Sequence, residues 1–240
     1  MKRNLVFTTA GPGSCNTKQY ISPTASYDLA VFDYGDDEEV FNPEDAQYYV
    51  RVKGQKYETI HRLLAEWSLL DKYDFYFLPD QDIFFTPAKV DEMFRLASVH
   101  DLSLCQPALD RLSTISWAVT RQQPDCVMRY TNFVEVMAPL FDRRGMAACH
   151  PTFARSQSSW GLDLLWGKVL TRLKLSIGVI DCVTMSHPHE RVSENWKMSN
   201  GKTPRQELNE LVVAEKLSYS ALTMRRVKST EHPTRLPRIF

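Results

Sequence analysis

The sequence feature that most constrains the fold is the segment YDFYFLPDQDIFF at residues 73–85. Residues 73–78 form an aromatic-rich apolar run without a polar face, which is typical of a central strand covered on both sides of a sheet. The run ends abruptly at Pro79, and Asp80 and Asp82 follow it, two residues apart. In open α/β sheets, ligands bind in the crevice outside the carboxyl ends of the strands. The segment therefore predicts a buried strand that delivers two carboxylates to a ligand-binding edge.

The paired carboxylates Asp80 and Asp82 favour a divalent cation. Hard oxygen ligands suit Mg²⁺ or Mn²⁺, and a diphosphate can share such an ion with the protein. An Asp-x-Asp at a strand end is also compatible with a solvated turn or a helix cap. Residues 83–85 resume the apolar run, and Thr86 and Pro87 are suited to open a helix. Apolar segments thus hold the pair on both sides, as a metal site requires.

Composition restricts the class of protein. The chain has 240 residues, 43% of them apolar, which is enough for one large domain or a domain with an appendage. Its formal net charge is zero, so no overall positive field points to nucleic acid. It contains no apolar run of about 18 residues, and its start is unlike a signal peptide. The five cysteines are odd in number and include no CxxC pair, which favours reduced thiols. We therefore expect a cytoplasmic protein.

The first two strands are predicted at residues 5–11 and 27–34. The first ends in Thr8, Thr9 and Gly11, and the second carries Asp33 near its end. Loops after these strands would face the same crevice, where they could bind a nucleotide. A plain strand–helix turn explains the Thr8–Gly11 stretch equally well.

Residues 55–70 have apolar side chains at helical spacing, and Lys56 stands near the start of this helix. A phosphate could meet both the Lys56 amine and the helix N-terminus. The alternative is an exposed surface lysine.

The next predicted elements are a helix at 88–97, a strand at 102–109, a mobile loop that crosses the site at 111–132 and a strand at 133–141. The last strand contains Glu135 inside an apolar run. A buried carboxylate needs a partner, so Glu135 is either salt-bridged in the core or functional.

A helix is predicted at 158–170 and a strand at 177–185. Asp163 lies in the first turn of this helix, a position that the helix dipole alone can explain. His187 and His189 follow the strand and could supply a nitrogen ligand to the metal.

The segment after residue 190 has a different character. It contains one amphipathic helix near residues 208–217, and its end is basic. We divide the chain into a domain at 1–190 and a helical, basic extension at 191–240. The basic residues after 224 could contact anionic lipid, or could simply form a solvated terminus.

The alternation of strands and helices predicts an α/β domain with a largely parallel central sheet flanked by helices. In their order and spacing, YDFYFLPDQD, LCQPALD, FVEVMAPLF, SWGLD and IGVIDCVTMSH resemble the family called domain of unknown function 707. That family is similar to nucleotide-sugar-dependent glycosyltransferases of the GT-A fold. The resemblance spans about residues 4 to 190.

The resemblance implies roles for individual residues. Asp80 and Asp82 match the acids that hold the cation of the donor diphosphate, and His187 matches a late metal ligand. Asp163 matches the position of the general base in inverting enzymes. Gln81 departs from the pattern, because many relatives of this fold carry a third acid next to the pair.

The function implied is metal-dependent transfer of a sugar from a nucleotide sugar to a glycan or lipid-linked acceptor, with inversion. Attraction of the basic tail to anionic lipid would place the protein at the inner face of a membrane, beside a lipid-linked acceptor. We rank Asp163 above Glu135 as the base, because Glu135 is predicted inside a strand, where a carboxylate has less freedom to meet a substrate hydroxyl. Glu135 could instead orient the acceptor. A non-catalytic nucleotide- or glycan-binding relative and a metal-dependent phosphohydrolase are the alternatives.

Overall fold

The computed structural model describes residues 2–12, 15–36, 41–188 and 196–228. These residues form nine strands: Asn4–Ala10 (β1), Tyr27–Asp33 (β2), Tyr48–Arg51 (β3), Phe75–Phe77 (β4), Leu102–Leu109 (β5), Cys126–Thr131 (β6), Leu140–Asp142 (β7), Ser176–Met185 (β8) and Thr223–Lys228 (β9). The α-helices of the same ranges are Lys56–Glu66 (α1), Pro87–Val99 (α2), Arg143–Cys149 (α3), Leu162–Arg172 (α4) and Pro204–Glu215 (α5).

All nine strands belong to one sheet, in the order β3-β2-β1-β4-β7-β5-β8-β6-β9. The four strands β3, β2, β1 and β4 pair in parallel, as do β5 and β8. β7 is antiparallel to both of its neighbours, and so is β6. The sheet is therefore mixed and not largely parallel as expected, because β6 and β7 run against the other strands. Residues 132–139, which join β6 to β7, are too few for a helical crossover.

Helices cover both faces of the sheet. Alternate residues of β1 point to opposite sides: Val6 packs in one core with Phe94 of α2, while Phe7 packs in the other with Ile60 of α1. α3 and α4 share the second core, where Trp166 is fully buried. This double coverage explains why β1 and β2 are continuous apolar runs. The expectation of an α/β fold is confirmed.

Two predictions of secondary structure are wrong. The polar stretch 111–132 contains β6, whose Arg129 is fully buried because it pairs with the fully buried Asp181 at 2.8 Å. The predicted strand at 133–141 begins only at Leu140, so Glu135 lies in an irregular segment. Phe133 and Val134 are buried although they lie outside a strand. A buried irregular segment and a buried strand have the same apolar composition, so the sequence pattern does not distinguish them.

The segment after residue 190 joins the same sheet. The predicted helix corresponds to α5, which begins with a capping box between Thr203 and Gln206. β9 then pairs with β6 at the sheet edge, so Arg225 and Arg226 lie in a strand. Later basic residues, among them Arg235 and Arg238, lie outside the described residues. The division at residue 190 stays a prediction.

In the four described ranges, no helix has both the length and the apolar character needed to cross a bilayer.

Candidate functional site

The sheet has a topological switch point at β1. β2 lies on one side of β1 and β4 on the other, and the three strands are parallel. The loops that leave the carboxyl ends of β1 and β4 therefore diverge, and a crevice opens between them. The Asp80–Asp82 stretch follows β4 directly at this point.

A cleft of ≈ 370 Å³ occupies this crevice. It is lined by residues from the ends of β1 and β2, the start of α1 and the loop after β4: Thr9, Phe32, Tyr34, Gly54, Gln55, Lys56, Asp80, Gln81 and Asp82.

The loop that carries the two acids is fixed through its backbone. The Asp80 amide donates to the Met137 carbonyl at 2.7 Å, and the Thr8 hydroxyl donates to the Pro79 carbonyl at 2.9 Å. The Asn16 amide donates to the Gln81 carbonyl at 2.6 Å. Three backbone hydrogen bonds therefore hold the loop that presents the carboxylates.

Lys56 is the direct partner of Asp80. Its ammonium lies 2.5 Å from Asp80 Oδ1 and also donates to the carbonyls of Val136 and Met137 at 3.1 and 3.4 Å. These three acceptors use all three hydrogens of the ammonium. Burial raises the pKa of Asp80 despite the attraction of Lys56, and burial lowers the pKa of Lys56. The predicted phosphate-binding lysine therefore stands beside the acid pair.

His187 joins the site from the end of β8. An isolated bridge between Phe84 and Ser186 brings that strand end to the loop after β4. His187 Nε2 then lies 3.4 Å from Asp82 Oδ2, and the hydrogen bond to this carboxylate raises the pKa of His187. His189, the second predicted histidine, lies outside the described residues.

The acid pair supplies only part of the coordination of a cation, and water or a bound ligand would supply the rest. Among the described residues, no group of three or more His, Cys, Asp or Glu side chains is arranged to hold a metal ion. Asp80 and Asp82 are two hard oxygen donors lining one cleft, and Mg²⁺ is often bound by one or two carboxylates together with substrate phosphates. The residues fit a shared cation of this kind and do not form a complete protein cage.

The residues predicted to bind nucleotide separate into two groups. Thr9 and Lys56 line the cleft, whereas Thr8, Gly11 and Asp33 do not. Asp33 is fully buried, and its carboxylate accepts hydrogen bonds from the Gly35 amide at 2.7 Å and the Tyr49 hydroxyl at 3.2 Å.

Gly11 leaves room for the ring of Tyr34. A Cβ at this position would lie 2.5 Å from a ring carbon of Tyr34, closer than side-chain atoms can approach. The glycine therefore lets Tyr34 pack over the end of β1, which favours the structural explanation of this turn.

Asp163 lies in the first turn of α4, as predicted. Gly161 caps this helix with φ of 88°, and Asp163 Oδ1 accepts a hydrogen bond from the Leu164 amide at 2.8 Å. Asp163 does not line the cleft. Burial raises its pKa to about 7. Such a carboxyl exchanges a proton near neutral pH.

Tyr57 connects the two carboxylate regions. Its hydroxyl donates to the Val136 carbonyl at 2.5 Å, and burial, then Asp80, then Asp163 raise its pKa. Asp80 and Asp163 are therefore both within electrostatic reach of one side chain.

Glu135 is also near the site. It is 3% exposed, its amide donates to Gln106 Oε1 at 2.5 Å, and its charge contributes to the raised pKa of His187. The argument that ranked Asp163 above Glu135 assumed a strand at Glu135. That premise is wrong, while the ranking itself stays a prediction.

Four lining residues escaped the sequence analysis as site residues: Phe32, Tyr34, Gly54 and Gln55. Tyr34 directly follows Asp33 at the end of β2. Its position at the end of a strand is the sequence signal that could have identified it as a site residue. Gln81, seen only as a missing acid, accepts a hydrogen bond from the Thr9 hydroxyl and donates one to the Pro12 carbonyl, each at 3.3 Å. It helps to join the two loops that border the cleft.

The fold and the cleft define an α/β protein with a cleft, lined partly by charged side chains, at the switch point of its sheet. No family model and no curated protein matches the chain. The resemblance to domain of unknown function 707 accordingly stays a prediction.

Proposed function

We propose that the chain is a glycosyltransferase of the GT-A type, which transfers a sugar from a nucleotide sugar to a glycan or lipid-linked acceptor. The observation that carries the proposal is the Asp80–Asp82 pair with Lys56 in a cleft at the carboxyl ends of parallel strands. A diphosphate needs such a combination of hard oxygen ligands for a shared cation and an ammonium group.

The nucleotide would bind along the β1–β2 side of the cleft. Thr9 and Lys56 offer a hydroxyl and an ammonium to phosphate, and Tyr34 offers an aromatic face to a base. Lys56 is also the first residue of α1, where unpaired amides favour an anion.

Asp80 and Asp82 would hold Mn²⁺ or Mg²⁺, with His187 beside Asp82. When bound, the cation supplies charge stabilisation to the departing diphosphate.

Asp163 is proposed as the general base that accepts the proton of the acceptor hydroxyl. A base works best when its pKa is near the working pH, and the pKa of Asp163 is about 7. Attack from the face opposite the diphosphate would invert the anomeric centre. Glu135 is proposed to orient the acceptor.

A lipid-linked acceptor agrees with the surface near the C-terminal end of the described chain. Val213, Tyr219, Leu222 and Met224 are all exposed, with Met224 at 69%. Arg225 and Arg226 follow them in sequence. Apolar and cationic side chains together suit the surface of an anionic membrane, so we propose peripheral contact at the inner face.

The second candidate is a non-catalytic nucleotide- or glycan-binding protein. It is favoured by the ion pair between Lys56 and Asp80, which neutralises one of the two predicted metal ligands. Such a protein would bind the nucleotide and release no product.

Two assays test the proposal. A thermal-shift screen of nucleotide sugars, with and without Mn²⁺, identifies the donor, because a ligand that binds the folded state raises Tm. Incubation of that donor with and without acceptor glycans then separates the functions. Transfer requires an acceptor, whereas free sugar or phosphate formed in water alone indicates hydrolysis. Binding without either product would contradict the transferase and leave the non-catalytic candidate.

A further inference from the structure

We propose that Lys56 is an exchangeable cation. In the metal-free chain it neutralises Asp80, and when a divalent cation takes Asp80 it turns to the diphosphate of the ligand. This inference rests on the proposed function, since it assigns the diphosphate and the cation to the same cleft. It adds a competition between two cations for one carboxylate.

The Lys56–Asp80 pair faces the cleft. Both side chains line it, with side-chain exposures of 13% for Lys56 and 36% for Asp80. In the ion pair between Arg129 and Asp181, by contrast, both side chains are fully buried. Arg129 also donates to two backbone carbonyls at 2.8 Å, so it is committed to the core. Lys56 can be reached by a ligand, and Arg129 cannot.

Two backbone carbonyls would keep the Lys56 ammonium at the cleft when a divalent cation binds Asp80. The carbonyls of Val136 and Met137 lie 3.1 and 3.4 Å from Nζ and carry no net charge. They hold the ammonium without neutralising it. Lys56 would therefore keep its position near the cleft and present its charge to a new anion.

Charge explains why the exchange must occur. An ammonium and a divalent cation repel each other when both approach Asp80 Oδ1, and the doubly charged ion has the stronger attraction for the carboxylate. Asp80 and Asp82 would hold the cation, and phosphate oxygens of the ligand would share it. The diphosphate then brings negative charge next to Lys56, which replaces the charge of Asp80.

The exchange predicts that the variant Lys56→Gln binds Mn²⁺ more tightly and pyrophosphate more weakly than the wild type. Isothermal titration with Mn²⁺ alone should give about tenfold or tighter binding to Lys56→Gln than to the wild type, because a competing cation is gone. Titration with inorganic pyrophosphate in the presence of Mn²⁺ should give about tenfold or weaker binding to the same variant. Lys53→Gln is the matched control, because Lys53 is three residues away, 63% exposed and paired with Asp36. It should change both affinities by less than about twofold.

A second variant separates the two partners. Asp80→Asn releases Lys56 from its carboxylate, so metal-free pyrophosphate should bind this variant more tightly than the wild type. Added Mn²⁺ should no longer improve that binding. Lys56→Arg keeps the charge and should bind Mn²⁺ with wild-type affinity. If Lys56→Gln does not fold, the pyrophosphate titrations of Asp80→Asn still test the exchange.

Three outcomes would overturn the exchange. In the first, Lys56→Gln folds and binds Mn²⁺ with wild-type affinity. In the second, the wild type binds pyrophosphate equally with and without Mn²⁺, so that Lys56 is the sole cation. In the third, the wild type binds neither probe. None of these titrations measures sugar transfer, so an inactive protein with opposite shifts in Lys56→Gln would refute the transferase and retain the exchange.

Discussion

At the scale of single residues, the buried carboxyl of Asp163 is the group with the clearest functional consequence. Its pKa of about 7 results from burial, which the hydrogen bond from the Leu164 amide offsets only in part. The unfolded chain releases this proton near pH 4, about the ordinary value for Asp. Between pH 4 and pH 7 the folded state therefore binds more protons than the unfolded state, and stability falls as pH rises.

The variant Asp163→Asn tests both the stability and the proposed role. Because its side chain cannot ionise, we expect it to be more stable than the wild type at pH 8, by roughly 4 kcal/mol at most. At pH 4 the two proteins should be similar. Urea unfolding at both pH values measures this difference, and a variant less stable than the wild type at pH 8 would contradict the raised pKa.

The same variant should retain donor binding and lose transfer by about 10²–10⁴-fold, as is usual when a general base is removed. Glu135→Gln is the comparison, because Glu135 is a second buried acid near the site. Near-normal turnover in Asp163→Asn, together with a folded but inactive Glu135→Gln, would reverse the two roles.

At the scale of elements, α5 fixes the segment that leads into α4. The Glu207 carboxylate accepts hydrogen bonds from the hydroxyl of Ser156, from the amide and hydroxyl of Ser158, from the amide of Gln157 and from the Asn200 side chain. Leu208 and Leu211 pack so closely on Gly161 that a Cβ there would lie 3.0 Å from Leu208. The segment before Asp163 is therefore held by the part of the chain after residue 190.

Replacing Glu207 should loosen that segment. Glu207→Ala leaves several donors without an acceptor, and we expect a loss of about 3 kcal/mol in unfolding free energy. Hydrogen exchange at the amides of Gln157 and Ser158 should increase. Glu210→Ala is the matched control on the same helix, because the Glu210 side chain is 59% exposed and pairs with Lys202. Equal effects of the two variants would show that Glu207 has no special role.

The contact between α1 and residues 150–155 contains a stacked pair of histidines. The rings of His61 and His150 are 4.3 Å apart, and each ring donates to the backbone carbonyl of the other residue at 3.1 Å. Since carbonyls only accept, a ring nitrogen is the donor in both contacts. Burial lowers the pKa of His150.

This pair predicts a loss of stability in mild acid. The unfolded chain protonates His150 near pH 6.5, while the folded state resists protonation, so the stability present above pH 6.5 falls as pH is lowered. His150→Gln should reduce the difference in Tm between pH 7.5 and pH 5.5. His187→Gln is the control, because the pKa of His187 is raised and its removal should not reduce that difference. An unchanged difference in His150→Gln would exclude this cause.

At the scale of the whole molecule, the C-terminal strand β9 makes the basic segment part of the sheet. Deleting residues after 224 would remove most of a strand that pairs with β6, so truncation is not a clean test of membrane contact. Substitution is better. Arg226→Gln combined with Met224→Ser should lower sedimentation with anionic liposomes by several-fold, at about 1 kcal/mol for the lost charge alone.

Arg225→Gln is the comparison and should lower binding less than the double substitution, because the Arg225 guanidinium lies over the ring of Tyr130, 4.4 Å from its centre. Liposomes of neutral lipid should bind neither the wild type nor the variants. Binding to anionic liposomes that is unaffected by the double substitution would refute peripheral contact through this surface.

The sequence alone determined the features that depend on local chain chemistry. Apolar runs predicted β1, β2, β5 and β8, and apolar side chains at helical spacing predicted α1 and α4, close to their observed bounds. Asp80 and Asp82 follow a buried strand as predicted, and Asp163 lies in a helical first turn. These features follow from backbone sterics and from burial of the nearest apolar side chains, and both are encoded within a few residues.

Only the tertiary structure decided which segments meet. The pairing of Lys56 with Asp80 joins residues 24 apart, and its contact with Val136 spans 80. The reversed direction of β6 and β7, the irregular backbone at Glu135 and the insertion of β9 next to β6 were likewise absent from local patterns. The physical reason is that an apolar or charged side chain is equally satisfied by many partners, and the choice among them depends on how the complete sheet packs its two faces.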